Sequence, residues 1–241
     1  MDCGCGSIDL SQNAMESPTA TPGEPTRQHR LAARMTWTYR TAWWLARLSA
    51  RWIYRTRIEH VEHIPAVGPV ILASNHASLA DPPLIGGSVP RAVNFLARDT
   101  LFDIPLLGWY IRKLNAVPVN REGGGGAGLK AILDRLQGGA AILLFPEGTR
   151  THDGRLRPAR SGIGLTVIKS GAPVVPIRLH GTFEAWGRHQ RLPGRGRFRV
   201  VVGEPLQFEA LRAEARICDK ERLKAIYQEV ADTIMAKIAE L

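Results

Sequence analysis

The sequence of 241 residues predicts an α/β domain, a mostly parallel sheet covered by helices. Between about Gly68 and Pro205, short apolar runs alternate with segments of helical spacing, the pattern of β-α units. Several runs are apolar at consecutive positions, as strands buried on both faces are. The chain then closes on Leu223, Ile226, Tyr227, Val230, Ile234 and Ile238, whose spacing suits an amphipathic helix laid over that sheet.

Each element has its own signal. Residues 1–26 are rich in Ser, Thr, Pro and Gly and read as a disordered leader. Residues 27–57 contain neither proline nor glycine and suit one long helix or two short ones. On a helical wheel, Arg40, Arg47, Arg51 and Arg55 share a sector with Trp37, Trp44, Leu48 and Trp52. Met35, Tyr39, Ala42, Ala46, Ala50 and Ile53 lie opposite. Within the domain at 58–241, the strand candidates are PVILAS (Pro69 to Ser74), AVNFLA (Ala92 to Ala97) and NAVPVN (Asn115 to Asn120). AAILLF (Ala140 to Phe145), APVVPIRL (Ala172 to Leu179) and RFRVVVG (Arg197 to Gly203) complete the set. Gly128 to Gln137 and Gly162 to Ser170 are the helix candidates between them.

Charge and cysteine usage narrow the function. Of the net +10, Pro25 to Ile58 supplies +8 from eight arginines with no acid, leaving +2 for the rest. Four of the six tryptophans, Trp37, Trp43, Trp44 and Trp52, share that segment. Guanidinium groups suit lipid phosphates and indole rings suit the headgroup layer, so the segment reads as an interfacial helix on an anionic membrane surface. A surface helix with solvated arginines is the plainer alternative. No nucleic-acid motif accompanies the basic stretch, so a nucleic-acid partner is not expected. Cys3, Cys5 and Cys218 give an odd count without C-x-x-C spacing, which supports neither a disulfide framework nor a zinc site. No stretch approaches the ~18 apolar residues of a membrane-spanning helix, and the start lacks a signal peptide's basic and apolar regions.

The polar residues gather where apolar runs stop, the place where open α/β sheets bind ligands. PVILAS runs into Asn75, His76 and Asp81; NAVPVN runs into Arg121; AAILLF runs into PEGTR, Pro146 to Arg150. A carboxylate on one ring nitrogen of His76 fixes its tautomer and leaves the other nitrogen as a general base. Asp81, followed by Pro82, also has the features of a helix N-cap. No G-x-S-x-G nucleophile elbow occurs, so the nucleophile is assigned to a substrate hydroxyl. Arg121 and Arg150 could hold an anion on that substrate, most naturally a phosphate, or could serve an ordinary ion pair with Glu147. The glycine run from Gly123 to Gly128 satisfies G-x-G-x-x-G almost automatically but lacks a P-loop lysine, and reads as a loop.

Four blocks then stand in order: NHASLAD (Asn75 to Asp81), LFDIPLLGWYIRKLNAVPVNR (Leu101 to Arg121), FPEGTR (Phe145 to Arg150) and VVPIRL (Val174 to Leu179). In them the chain resembles the glycerolipid acyltransferases of the 1-acylglycerol-3-phosphate acyltransferase family, over roughly Arg57 to Pro205. The resemblance implies that His76 and Asp81 form the catalytic H-x4-D pair. It implies that Arg121, Glu147, Gly148 and Arg150, with Thr149 in the same block, hold a phosphorylated acceptor. It further implies acyl transfer from acyl-CoA or acyl-carrier protein to lysophosphatidic acid, giving phosphatidic acid for phospholipid biosynthesis. No metal or bound cofactor is required for that reaction. The enzyme would be peripheral or monotopic on the cytoplasmic face of a membrane. Thr151 replaces a common serine, and Ala159 to Gly162 replaces a usual F-K-x-G, which bears on the identity of the acceptor. Another lysolipid acceptor and a non-catalytic membrane-binding module are the alternative readings.

Overall fold

The structure is a computed structural model that describes residues 35–119 and 126–241. The leader, Arg121 and the glycines at 123–125 lie outside the described residues. Seven strands form one sheet in the order β1-β7-β6-β2-β5-β3-β4. They are β1 (Arg57–Glu59), β2 (Val70–Ser74), β3 (Val93–Arg98), β4 (Ala116–Val119), β5 (Ala141–Leu144), β6 (Val174–His180) and β7 (Arg199–Val202). Strands β2 to β6 are mutually parallel, so their carboxyl ends share one edge; β7 runs antiparallel to β6, and β1 follows β7. The mostly parallel, helix-covered sheet expected from the apolar runs is the fold observed.

Period-two burial explains why those runs look continuous. Along β2, Ile71 and Ala73 join one core cluster, and Val70 and Leu72 join another on the opposite face. The first cluster lies under helices α4 (Gly126–Gln137), α5 (Ser161–Ser170) and α8 (Lys220–Glu240). The second lies under α1 (Trp37–Trp52) and α2 (Asp81–Ser88). The shorter α3 (Pro105–Lys113), α6 (Thr182–Trp186) and α7 (Glu209–Glu214) sit in the connections. Each fully buried leucine or isoleucine contributes about 1.5–3 kcal/mol, and β2 is buried at every position.

Helix α8 covers the sheet as its spacing predicts, with Ile226, Val230, Ile234 and Ile238 wholly buried. Asp219 caps it, accepting from the Arg222 backbone N–H at 2.8 Å. Gly164 lets α5 approach α8 closely, because a Cβ there would fall on the Tyr227 carbonyl oxygen.

Helix α1 begins at Thr36, whose hydroxyl accepts from the Tyr39 backbone N–H. It packs by its smaller face: Tyr39 and Ala50 are buried, and the Tyr39 hydroxyl accepts from the Val93 N–H at 3.0 Å. Trp43 donates its indole N–H to the Val89 carbonyl. The opposite face is open, with Trp37 79%, Trp44 54% and Trp52 73% exposed. The wheel's smaller face packs at Tyr39 and Ala50, but Met35 and Ile53, which it placed there too, flank the helix and are exposed, and Arg55 lies beyond the end of α1. Among the described residues, no helix is long and apolar enough to cross a membrane.

Candidate active site

Strands β2 and β5 are hydrogen-bonded neighbours, with β6 on the other side of β2. Three adjacent carboxyl ends therefore open into one crevice. From β2 the chain turns through His76 to α2, and His76 Nδ1 lies 2.9 Å from Asp81 Oδ2. The same oxygen accepts from the backbone N–H groups of Ala77 and Ser78, both at 2.7 Å. Asp81 thus stands in the first turn of α2 but makes no side-chain hydrogen bond that caps it; its side chain turns back onto the loop. Because a carboxylate can only accept, the His76 proton belongs on Nδ1 and the lone pair on Nε2. Phe145 supports the ring from one side, stacked with centroids 3.9 Å apart.

The turn after β5 grips His76 by its backbone. Glu147 Oε1 accepts the His76 N–H at 2.9 Å, and the Thr151 N–H donates to the His76 carbonyl at 2.8 Å. Glu147 is therefore a buried clamp on the histidine turn, a role the linear sequence does not reveal. Burial raises its carboxyl above the ordinary value of 4.5, opposed by the backbone N–H groups of His76 and Arg157 and by the Arg157 charge. Gly148 turns this loop at φ 71°, and a Cβ there would meet Arg160 Cδ at 2.9 Å. Thr149 and Arg150 follow, both half-buried. Burial lowers the Arg150 pKa, as does the nearby Arg188 charge, while Asp81 opposes them.

Two further contacts join strand ends that are distant in sequence. The Asn75 side chain donates to the Leu179 carbonyl at 3.0 Å and accepts from the Leu179 N–H at 2.8 Å. It extends the β2–β6 pairing beyond the strand and fixes where His76 begins. Ser78 Oγ donates to the Trp186 carbonyl at 2.8 Å, tying α6 to the histidine turn. On β6, Arg178 keeps Nε and Nη1 buried without a hydrogen-bond partner among the described residues, near enough to Glu147 to feel its charge.

The structure thus brings together His76, Asp81, Glu147, Gly148, Thr149 and Arg150. Arg121 lies outside the described residues, beyond the end of β4. One group among the described residues could chelate a cation: His60, Glu62 and His63, with ligand atoms within 4.8 Å of one another. It follows the carboxyl end of β1, which runs against the five parallel strands, so it belongs to the edge of the sheet away from His76.

Because the Glu147 pKa is raised, the folded protein holds that proton more tightly than the unfolded chain does. Stability therefore falls as pH rises from the ordinary 4.5 through the raised value. Glu147→Gln keeps an acceptor for the His76 N–H and removes the proton. Urea unfolding at a series of pH values should show that fall in the wild type and lose it in the variant.

Comparison with known proteins identifies the family. A family model described as Acyltransferase matches residues 55–180, about half of the chain. The chain is 32% identical over 175 residues to the chloroplastic 1-acyl-sn-glycerol-3-phosphate acyltransferase BAT2 of Brassica napus, covering 71% of this chain and 50% of that protein. It is 31% identical over 141 residues to the lyso-ornithine lipid O-acyltransferase of Pseudomonas aeruginosa, covering 58% and 52% respectively. The chain thus spans about half the length of these two curated relatives. The crystal structure of the 1-acyl-sn-glycerophosphate (LPA) acyltransferase PlsC from Thermotoga maritima superposes with a TM-score of 0.66 at 27% identity, covering 83% of this chain and 79% of that one. The matched span contains the histidine turn, the FPEGTR turn and strand β6, and on it the chain belongs to the acyltransferase family.

Proposed function

We propose that the protein transfers a fatty acyl group from acyl-CoA or acyl-carrier protein to the free hydroxyl of lysophosphatidic acid, forming phosphatidic acid. The observation that carries this reading is the His76–Asp81 pair, with Nδ1 bound at 2.9 Å and Nε2 left without a protein partner among the described residues. Nε2 takes the proton as the acceptor oxygen attacks the thioester carbonyl, and Asp81 stabilises the imidazolium. The tetrahedral intermediate expels the thiolate, which recovers the proton from His76. Arg150, with Arg121, holds the acceptor phosphate, so hydroxyl and base meet without an acyl-enzyme.

The acyl chain has a matching space. A cavity of about 590 Å³ lies between α1, α2 and α3, bordered by Trp43, Ala46, Pro82, Gly86, Phe95 and Tyr110. That volume falls within the ~300–1,000 Å³ typical of small-molecule sites, and Pro82 directly follows Asp81. A Cβ on Gly86 would meet only the Tyr39 hydroxyl, at 3.8 Å, so a larger side chain there can grow into the cavity. Gly86→Leu is expected to shift the preferred donor toward shorter chains, measured as relative kcat/KM across an acyl-CoA series. An unchanged profile would place the acyl chain elsewhere.

A peripheral or monotopic seat on the cytoplasmic face of a membrane follows from the substrates and from the open tryptophan and arginine face of α1. The likeness to the lyso-ornithine lipid enzyme favours one second reading, an acylated amino-acid lipid as acceptor. Acyl transfer to a panel containing lysophosphatidic acid and lyso-ornithine lipid separates the two. Preference for the phosphorylated acceptor supports the first reading, and transfer to lyso-ornithine lipid alone replaces the acceptor while keeping the chemistry.

A further inference from the structure

We infer that Arg188, in the connection between α6 and β7, is a further binding residue that shares the acceptor's phosphate with Arg150. The inference rests on reading the crevice as one that receives a phosphorylated acceptor. The connection is fastened to the crevice from two sides. The Trp186 carbonyl is held by Ser78, three residues before Asp81, and two residues further on Arg188 Nη1 donates to His152 Nε2 at 3.1 Å. His189 Nε2 lies 3.3 Å from the His152 carbonyl, and His152 is two residues past Arg150. The Gln190 side chain closes the turn between them, accepting from the Gly187 N–H at 2.8 Å and donating to the Glu184 carbonyl at 3.0 Å. Arg188 is thus fixed at the rim between the histidine turn and the arginine turn.

The charges there are unbalanced. Among the described residues no carboxylate forms an ion pair with either Arg150 or Arg188. The two guanidinium groups are close enough that the Arg188 charge disfavours the Arg150 cation. The acid that favours Arg150, Asp81, already serves His76 and two backbone N–H groups. Residues 185–198 carry Arg188, Arg191, Arg195 and Arg197 and no acid. Two cations held together by neutral tethers repel each other until an anion lies between them, and a phosphate offers each a charge-assisted bond. Because Arg188 donates to His152 Nε2, that ring accepts, and it reports on any movement of the guanidinium.

The test uses Arg188→Gln and Arg188→Lys in the full chain. KM for lysophosphatidic acid should rise about 10- to 100-fold in Arg188→Gln, with kcat changed far less, and Arg188→Lys should recover part of the loss. Separately, sn-glycerol 3-phosphate titrated into protein labelled at histidine should move the His152 ring signals saturably in the wild type and not in Arg188→Gln, while glycerol moves neither. That second readout needs no turnover. A wild type that binds glycerol 3-phosphate through Arg188 yet transfers nothing to lysophosphatidic acid would overturn the proposed reaction and leave the anion site standing. Binding that is absent in the wild type, or equal in the two proteins, overturns the role of Arg188, as does an unchanged KM.

Discussion

Replacing His76 by alanine is expected to lower acyl transfer by about 10²–10⁴-fold, the usual worth of a general base, with the fold intact. The fold survives because two bonds that fix residue 76 are made by its backbone and remain: its N–H goes to Glu147 Oε1 and its carbonyl receives the Thr151 N–H. Asp81 keeps the Ala77 and Ser78 N–H groups as partners when the imidazole is gone. Asp81→Asn should lower transfer to a similar extent, since an amide neither fixes the His76 tautomer nor carries the charge that steadies the imidazolium. Steady-state transfer rates beside far-ultraviolet circular dichroism check both variants. A His76→Ala protein with normal spectra and undiminished transfer would mean that the pair is structural and that the chemistry lies elsewhere.

Changing Trp37, Trp44 and Trp52 together to glutamate should lower partition onto anionic vesicles by about 100-fold or more, at roughly 1 kcal/mol or more for each ring withdrawn from the interface. Removing α1 altogether is a poorer experiment, because Tyr39 and Ala50 are buried and the Tyr39 hydroxyl holds the Val93 N–H. The three tryptophans are exposed, so their loss spares that packing. Helix α3, which borders the cavity through Tyr110, adds Leu106 and Trp109, exposed by 85% and 56%, so a residual affinity is expected to remain. Binding of the wild type should weaken with salt, since the arginines of α1 contribute about 1 kcal/mol each near an anionic surface. Sedimentation with vesicles at two ionic strengths measures both effects. Unaltered sedimentation of the triple variant would remove α1 from the membrane contact.

The parts of the fold legible in the sequence are those whose burial repeats within a few residues. PVILAS and AAILLF are central strands covered on both faces, and that environment leaves one polar residue in the two runs, Ser74 at the end of β2. Strand β1 was missed because its three residues, Arg57–Glu59, hold no such run; it exists through register with β7 and the Glu59–Arg199 pair at 2.8 Å. The candidate base was legible because His76 and Asp81 lie five residues apart on one turn. The clamps were not. Glu147 reaches His76 across 71 residues, Asn75 reaches Leu179 across 104, and Arg188 reaches His152 across 36. Nothing local marks such partners, because strand order brings them together. The block resemblance could place Glu147 near an acceptor, but only the geometry shows its carboxyl turned to the His76 backbone.

The most direct test follows one labelled acyl group. Purified protein is mixed with anionic vesicles containing lysophosphatidic acid, with labelled acyl-CoA and acyl-carrier protein supplied in parallel. Labelled phosphatidic acid is quantified by mass spectrometry against free thiol. We expect phosphatidic acid from at least one donor, with one thiol released for each molecule formed and no acylated protein accumulating. Thiol release without phosphatidic acid, or no reaction with either donor, would contradict the account.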